Sequence, residues 1–131
     1  MIRCACLLAE REQRILLVRV RQNELWYLPG GTLEADEALE DALVREISEE
    51  LGVVIDRGSI ELQRTVTGPA YGRDDIVELN CFSARWNGEI SPKAEVSELG
   101  WFGPSDRHLV APAIKILFDQ KWSFAKIEED R

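Results

Sequence analysis

A chain of 131 residues is long enough for one domain with its own core, and its 45% hydrophobic and 31% charged residues exclude a disordered chain. A net charge of -8 excludes a broad nucleic-acid-binding surface, although a nucleotide can bind an acidic protein where a divalent cation screens its phosphates. No apolar stretch approaches the roughly 18 residues of a membrane span, so we do not expect a membrane as partner. Because of the negative net charge, we do not expect a nucleic acid polymer as partner either.

The N-terminal segment is predicted to form two strands that pair as a hairpin. Apolar residues dominate positions 2–9, a charged turn follows at 10–13, and 14–21 returns as a second strand. Arg3 interrupts the first apolar run too early for a signal peptide, so we expect a cytoplasmic protein. Arg21 ends the second strand, where it either lies in solvent or meets a phosphate or base of a ligand.

Three cysteines, Cys4, Cys6 and Cys81, lie in strand-like runs. Cys4 and Cys6 point the same way on one strand, where cysteines so close rarely form a disulfide, and the spacing is not that of a metal site. We interpret all three as small buried hydrophobes, which suits a reducing cytosol.

A turn followed by a helix spans residues 28–53. The run Pro29-Gly30-Gly31-Thr32 predicts the turn, because proline fixes φ and glycine adopts φ values that other residues avoid. Asp36 is the predicted N-cap of a helix of about four turns, and Gly52 is its predicted left-handed C-cap. Apolar residues recur at every fourth position of this helix and form a stripe: Leu39, Leu43, Ile47 and Leu51.

Three glutamates project from one side of this helix over a single turn. Glu46, Glu49 and Glu50 are spaced i, i+3 and i+4. Around the helix axis Glu50 lies about 20° from Leu39, at the edge of the apolar stripe. Acidic groups crowded beside a core repel one another unless a cation neutralises them, and Mg²⁺ with oxygen ligands meets that need. The alternative is an acidic face in solvent.

The rest of the chain alternates strands, turns and short helices. Strands are predicted at 53–55, 60–67, 76–86 and 99–102, with a turn-rich loop at 68–75. Asn87-Gly88 predicts a hairpin turn that pairs 89–91 back onto the preceding strand. Pro104 and Pro112 begin two helical segments, and the charged tail at 128–131 is expected to fray. The second segment has an apolar inner face: Ile114, Leu117 and Phe118. This alternation predicts an α/β domain with a mixed sheet between helical layers.

The spacing within the turn and helix adds a more specific signal. Gly31 and Glu37 are separated by five residues, and seven more precede the run Arg45-Glu46-Ile47-Ser48-Glu49-Glu50-Leu51-Gly52-Val53. This pattern matches every fixed position of the Nudix box over 31–53, so the chain resembles a minimal, MutT-like member of the Nudix hydrolase family. The resemblance implies a single Nudix domain over 1–131, with an α/β/α sandwich around a mixed central β-sheet.

Nudix enzymes hydrolyse a nucleoside diphosphate linked to another group, by attack of metal-activated water on phosphorus. A pyrophosphate repels nucleophiles by its own charge, so catalysis needs cations that neutralise it and acidify a water. Carried over position by position, the resemblance implies these ligands for Mg²⁺ or Mn²⁺: Gly30 through its carbonyl, Glu46, Glu49 and Glu50. Glu37 and Arg45 are implied to orient the carboxylates, and with Glu49 they form the part of the catalytic set within the box.

The general base is predicted to lie outside the box. MutT-like members place a glutamate on a loop before the final strand, and this chain has both Glu95 and Glu98 there. Counting on from Arg85-Trp86-Asn87-Gly88-Glu89, which resembles the preceding hairpin of these proteins, favours Glu95; alternatively, both glutamates are solvated. His108, the single histidine, could act as a base at pH 7, but its surface-like segment favours a structural or solvent-exposed role.

The substrate markers point in different directions. Pro69 follows Val53 after fifteen residues, as in ADP-ribose-cleaving relatives, and Tyr71 follows after seventeen, as in dinucleoside-polyphosphate-cleaving ones. Oxidised-guanine hydrolases place a base-reading asparagine near the position of Pro112, and this chain has Ala111 and Ala113 there. Because the box is complete and no recognition module is appended, we expect nucleoside or deoxynucleoside triphosphates as substrates. ADP-ribose, a dinucleoside polyphosphate or nucleotide sensing without catalysis are the alternatives, and the chain is either a monomer or a homodimer.

Overall fold

The computed structural model describes residues 1–21 and 23–122. Its strands are β1 (Ile2–Leu7), β2 (Glu10–Arg11), β3 (Arg14–Val20), β4 (Gly30–Thr32), β5 (Val54–Ile55), β6 (Glu61–Pro69), β7 (Ile76–Ser83), β8 (Trp86–Asn87) and β9 (Val96–Phe102). Its α-helices are α1 (Leu39–Leu51) and α2 (Pro112–Lys121), and short 3₁₀ helices cover Arg57–Ser59 and Pro104–Leu109. No helix in these two described ranges is long and apolar enough to cross a membrane.

A mixed sheet with strand order β4-β1-β7-β6 lies at the centre of the fold. β1 runs parallel to β7, whereas the other two pairings are antiparallel. Side chains alternate along β1, so Cys4 and Cys6 join the core under α2, while Ala5 and Leu7 join the core under α1. The predicted α/β class, with helices on both sides of a mixed sheet, is confirmed.

The N-terminal hairpin prediction was wrong. β1 and β3 lie in different sheets, and β3 pairs with β2 and β9. The true hairpin joins β2 to β3 through Glu12 and Gln13, which have φ values of 52° and 63°. β1 pairs with β7, and the paired residues are more than 70 positions apart in the sequence. The local apolar pattern carries no information about such a distant partner.

Helix α1 begins later than predicted. Its N-cap is Ala38, without a side-chain hydrogen bond, so the assignment of Asp36 as N-cap was wrong. Asp36 has a φ of 61° and lies in a turn in which the Glu37 N–H donates to the carbonyl of Glu34. The left-handed C-cap is confirmed: Gly52 has a φ of 70° and its N–H donates to the carbonyl of Ser48.

Burial confirms the apolar stripe of α1. Leu43, Ile47 and Leu51 are fully buried, and Leu39, in the first turn, is partly buried. At the other end of the chain, the inner face of α2 is confirmed as predicted, since its three apolar residues are buried: Ile114, Leu117 and Phe118. The predicted fraying of 128–131 lies outside the described residues.

The hairpin predicted at Asn87-Gly88 was also wrong. β8 pairs with β5 instead, and the described chain has no strand at 89–91. Gly88 does turn the chain, with a φ of 101°. The segment after it leads to the end of α1, where the Ser91 N–H bonds the carbonyl of Leu51 at 3.1 Å. The unpaired carbonyls of a helix end thus compete with strand pairing for this segment.

The three cysteines are free and buried, as predicted. Cys6 and Cys81 are neighbours in the β1–β7 register. Burial raises the pKa of the Cys6 thiol well above its ordinary value, so Cys6 stays a neutral core residue.

Candidate active site

The Pro-Gly-Gly turn and helix α1 meet at Glu50. The Gly30 N–H donates to Glu50 Oε1 at 2.8 Å. Gly30 itself has a φ of 139°, and a Cβ at this position would lie 2.1 Å from the carbonyl oxygen of Ala5. Only glycine fits so close to β1, and this close approach brings the turn within reach of the Glu50 carboxylate.

Gly31 leaves room for the second carboxylate of the site. A Cβ at Gly31 would lie 2.5 to 2.7 Å from the carboxylate atoms of Glu46. The Glu46 side chain is 16% exposed and its Oε1 accepts from Arg45 Nη1 at 2.9 Å. Glu49, one turn along at 55% exposure, lies 3.7 Å from the same guanidinium nitrogen. The missing side chain at Gly31 therefore forms a space that the Glu46 carboxylate occupies.

Arg45 ties the helix to the segment before it. Its Nε and Nη2 donate to the two oxygens of Glu37 at 2.8 and 2.9 Å, and Nη2 also reaches the carbonyl of Thr32 at 3.3 Å. Glu37 Oε1 further accepts from the Glu34 N–H at 3.0 Å. The hydrogen bonds from Arg45 and from this N–H lower the pKa of Glu37 to about 2. Glu37 is thus held as an anion that fixes the direction of Arg45.

Glu50 has the opposite electrostatic environment. Burial raises its pKa to about 7, and the charges of Glu46, Glu49 and Glu95 act in the same direction, while the Gly30 N–H opposes them. A bound cation would stabilise the ionised form of such a carboxylate, because it would offset the repulsion from the neighbouring charges.

The residues fit a hard divalent cation, although the described ranges contain no preassembled group of three ligating side chains. Arg45 holds Glu46 and the Gly30 N–H holds Glu50, so the carboxylates are oriented separately. Carboxylate and carbonyl oxygens are the donors that Mg²⁺ and Mn²⁺ prefer. The repulsion that Glu46, Glu49 and Glu95 exert on the Glu50 carboxylate matches a site that a cation would neutralise.

The two candidate glutamates have different surroundings, and the prediction that both lie on the loop before the final strand was wrong for Glu98. Glu98 lies on β9 and forms an ion pair with Arg19. Glu95 precedes β9, and its charge acts on Glu50. Arg21 contributes its backbone N–H to the carbonyl of Glu95 at 3.1 Å, and its side chain is exposed. His108 is exposed in the second 3₁₀ helix and does not line the cavity beside Glu50.

A cavity of about 280 Å³ opens next to Glu50, Gly30 and Gly31. Its walls are mainly apolar: Ile2, Cys4, Cys6, Val18, Leu28, Val77, Leu79 and Ile114. Tyr71 lies at the cavity with its ring edge-on to Tyr27, 5.7 Å between centroids. Burial raises the pKa of Tyr27 to about 12, so this hydroxyl stays protonated.

Sequence reasoning missed two polar residues of the cavity, Asn23 and Arg73. Arg73 follows Tyr71 in the turn-rich loop, and that loop was the available signal for it. Asn23 carried no signal, since it lies in a short connection after β3. Ala111 and Ala113 also line the cavity, so the start of α2 presents methyl groups there.

A family model described as the NUDIX domain matches residues 2–120. The chain belongs to the Nudix hydrolase family. The solution structure of the Escherichia coli ORF135 protein is 28% identical, with a TM-score of 0.69 over 100% of this chain and 93% of that one. The fold and the box are therefore those of a Nudix domain.

Two curated Nudix relatives match shorter stretches. Diphosphoinositol polyphosphate phosphohydrolase 3-alpha of Mus musculus is 45% identical over 51 residues, 38% of this chain and 31% of the mouse protein. The putative 8-oxo-dGTP diphosphatase of Bacillus subtilis is 52% identical over 40 residues, 30% of this chain and 27% of that protein. The chain thus spans less than a third of these two relatives' length, and their names point to different phosphorylated compounds.

Proposed function

We propose that this Nudix protein is a Mg²⁺- or Mn²⁺-dependent pyrophosphohydrolase of nucleoside or deoxynucleoside triphosphates. The observation that carries the proposal is the position of Glu50. Its carboxylate belongs to the acidic cluster of α1 and also lines the cavity of about 280 Å³. A nucleoside in that cavity would place its phosphates beside the carboxylates.

Each residue has a distinct task in this proposal. Glu46, Glu49 and Glu50, with the Gly30 carbonyl, would hold the divalent ion. When bound, that ion neutralises phosphate charge and lowers the pKa of a water. Arg45, held by Glu37, orients the Glu46 carboxylate through its 2.9 Å hydrogen bond.

Glu95 is the proposed acceptor for the proton of the attacking water. Its charge acts on Glu50, whereas Glu98 is engaged with Arg19. Water attacks phosphorus, the anhydride bond breaks, and pyrophosphate or phosphate leaves with the bonding electron pair. Glu95 is the proposed base, and Arg21 supports it through the backbone.

The cavity supports a nucleotide with little base selectivity from α2. Ala111 and Ala113 offer no hydrogen bond to a base edge, so strict selection of oxidised guanine has no partner on that wall. Tyr71 at the cavity favours a second candidate, because its spacing from the box resembles that of dinucleoside-polyphosphate-cleaving relatives. The second candidate substrate is therefore a dinucleoside polyphosphate.

A substrate panel with Mg²⁺ tests the proposal. It contains the nucleoside and deoxynucleoside triphosphates, ADP-ribose, dinucleoside polyphosphates, nucleotide sugars and diphosphoinositol polyphosphates. We expect the highest kcat/KM for a triphosphate and loss of turnover on chelation of the metal. Much faster turnover of another class would overturn the substrate assignment. Tight nucleotide binding in calorimetry without any metal-dependent product would identify a sensor instead of an enzyme.

Replacing Arg45 with lysine should weaken the metal site. Lysine cannot reproduce the planar contact of Arg45 with both oxygens of Glu37, so the Glu46 carboxylate loses its orientation. We expect the Mg²⁺ concentration for half-maximal activity to rise about 10- to 100-fold, the usual effect of losing an outer partner of a metal ligand. Arg57→Lys is the matched control, because Arg57 pairs with Asp41 on the exposed side of the same helix. Equal metal requirements in the two variants would contradict the role of Arg45.

Removing the Tyr71 ring should weaken substrate binding without slowing the chemical step. The ring packs edge-on against Tyr27 at the cavity and is 36% exposed, so a bound base can contact it. We expect Tyr71→Ala to raise KM about 3- to 10-fold with nearly unchanged kcat, as for loss of one aromatic contact. Tyr71→Phe keeps the ring and should keep KM. A normal KM for Tyr71→Ala would exclude the residue from the substrate site.

A further inference from the structure

The loop that carries Glu95 is fixed to the end of α1 by backbone hydrogen bonds. The Lys93 N–H donates to the carbonyl of Glu50 at 2.9 Å. Two residues earlier, the Ser91 N–H donates to the carbonyl of Leu51 at 3.1 Å. Carbonyls in the last turn of a helix have no helical N–H left to accept from, so the loop provides their partners. Glu50 therefore contacts this loop through its carbonyl, while its side chain enters the candidate active site.

Beyond Lys93 the chain makes a tight turn. The Val96 N–H donates back to the carbonyl of Lys93 at 3.0 Å, and the Arg21 N–H donates to the carbonyl of Glu95 at 3.1 Å. Ala94 lies between these bonds with a φ of 53°, in the left-handed region that side chains with a Cβ seldom adopt. The Ala94 side chain is exposed, so it contributes nothing to the core.

We propose that Ala94 is a positioning residue, whose left-handed backbone directs the Glu95 side chain toward Glu50 while the Glu95 carbonyl stays bonded to Arg21. The inference rests on the proposed role of Glu95 and extends it to a residue that contacts no ligand. Alanine carries only a methyl group on Cα, so it adopts this conformation at a lower steric cost than a β-branched residue. A branched side chain at the same place shifts the turn toward ordinary φ values and moves Glu95 away.

Ala94→Val tests the proposal, with Gln13→Val as matched control. Gln13 also has a positive φ, 63°, in the exposed β2–β3 turn away from the cavity. Both variants place a β-branched residue in a left-handed position, so both lose stability for the same reason. We expect only Ala94→Val to lower kcat, by about 10- to 100-fold as for a small misplacement of a catalytic group, with KM within about threefold.

Two further measurements separate positioning from general damage. In the metal-free protein, amide exchange at Lys93 and Arg21 should be at least about tenfold faster in Ala94→Val than in Gln13→Val, whereas exchange at Leu16 in the buried strand β3 should be similar in the two variants. In the Glu95→Gln background, Ala94→Val should cost less than about threefold in kcat, because no base is left to position. Ala94→Gly, which adopts the left-handed conformation freely, should keep kcat within about twofold.

Each contrary result is decisive. If the losses from Ala94→Val and Glu95→Gln multiply, or if Glu95→Gln alone has no effect, Ala94 does not act through Glu95. Equal exchange at Lys93 and Arg21 in Ala94→Val and Gln13→Val would show that Ala94 does not hold the turn. If the unmodified protein hydrolyses no nucleotide, the proposed function fails by itself, and the exchange rates still decide whether Ala94 holds the turn.

Discussion

Glu50→Gln should lower kcat by roughly 10²–10⁴, the range expected when several kcal/mol of transition-state stabilisation is removed. Glutamine keeps the size of the side chain and an oxygen to accept the Gly30 N–H, but it removes one negative charge. The Glu50 side chain is partly buried, and burial raises its pKa to about 7. The lost charge therefore lies where a cation and the substrate phosphates would meet.

Glu40→Gln is the matched control for this substitution. Glu40 is exposed in the first turn of the same helix, so its substitution makes the same chemical change away from the cavity. Its kcat and metal requirement should equal those of the unmodified enzyme. Near-normal turnover of Glu50→Gln at saturating Mg²⁺ would mean that the charge on this helix face does not hold the catalytic ion.

Glu50→Gln should also change how the stability of the metal-free protein depends on pH. The pKa of Glu50 is raised from 4.5 to about 7, so between these values the folded protein keeps a proton that the unfolded chain has lost. The stability from this proton is complete below about pH 4.5 and is lost as the pH rises through about 7. Glu50→Gln removes this loss, so above pH 7 the metal-free variant should be more stable than the unmodified protein, by up to about 3 kcal/mol. Thermal unfolding from pH 5 to 8 measures the difference, and a parallel pH dependence of the two proteins would contradict it.

Local signals in the sequence predicted the helix half of the candidate site. The stripe of α1 and its left-handed end at Gly52 depend on neighbours within four residues, and both have the predicted form. The predicted start of α1 was wrong, because a turn closed by Glu34 and Glu37 places Asp36 at a positive φ before the helix. A residue with a good capping side chain was thus used by a competing local structure.

The remainder of the site depends on long-range contacts. β1 pairs with β4 and β7, which brings the Pro-Gly-Gly turn against Ala5 and creates the cavity wall. No local pattern indicates that Asn23 and Arg73 reach the same cavity, since they are 50 residues apart in sequence and lie in loops. The preference between Glu95 and Glu98 likewise depends on Arg19, which lies opposite Glu98 in the β3–β9 register.

Glu95→Gln should slow turnover by roughly 10²–10³-fold while leaving most of the metal affinity intact, as expected for loss of a general base. Its carboxylate acts on Glu50 from the loop before β9, and the loop is held by Arg21 and by the end of α1. Glu98→Gln is a matched control three residues away. Glu98 pairs with Arg19 at a largely exposed position, so its loss should change kcat less than about twofold.

Two results for Glu95→Gln and Glu98→Gln would contradict the role of Glu95 as the base. Metal affinity is measured by Mn²⁺ titration of each variant, and kcat by initial rates with the best substrate of the panel. A large loss of kcat in Glu98→Gln with normal turnover in Glu95→Gln would transfer the role of base to the residue paired with Arg19. A loss of Mn²⁺ affinity in Glu95→Gln equal to its loss of kcat would instead make Glu95 a metal ligand, because a base that only accepts a proton contributes little to binding the ion.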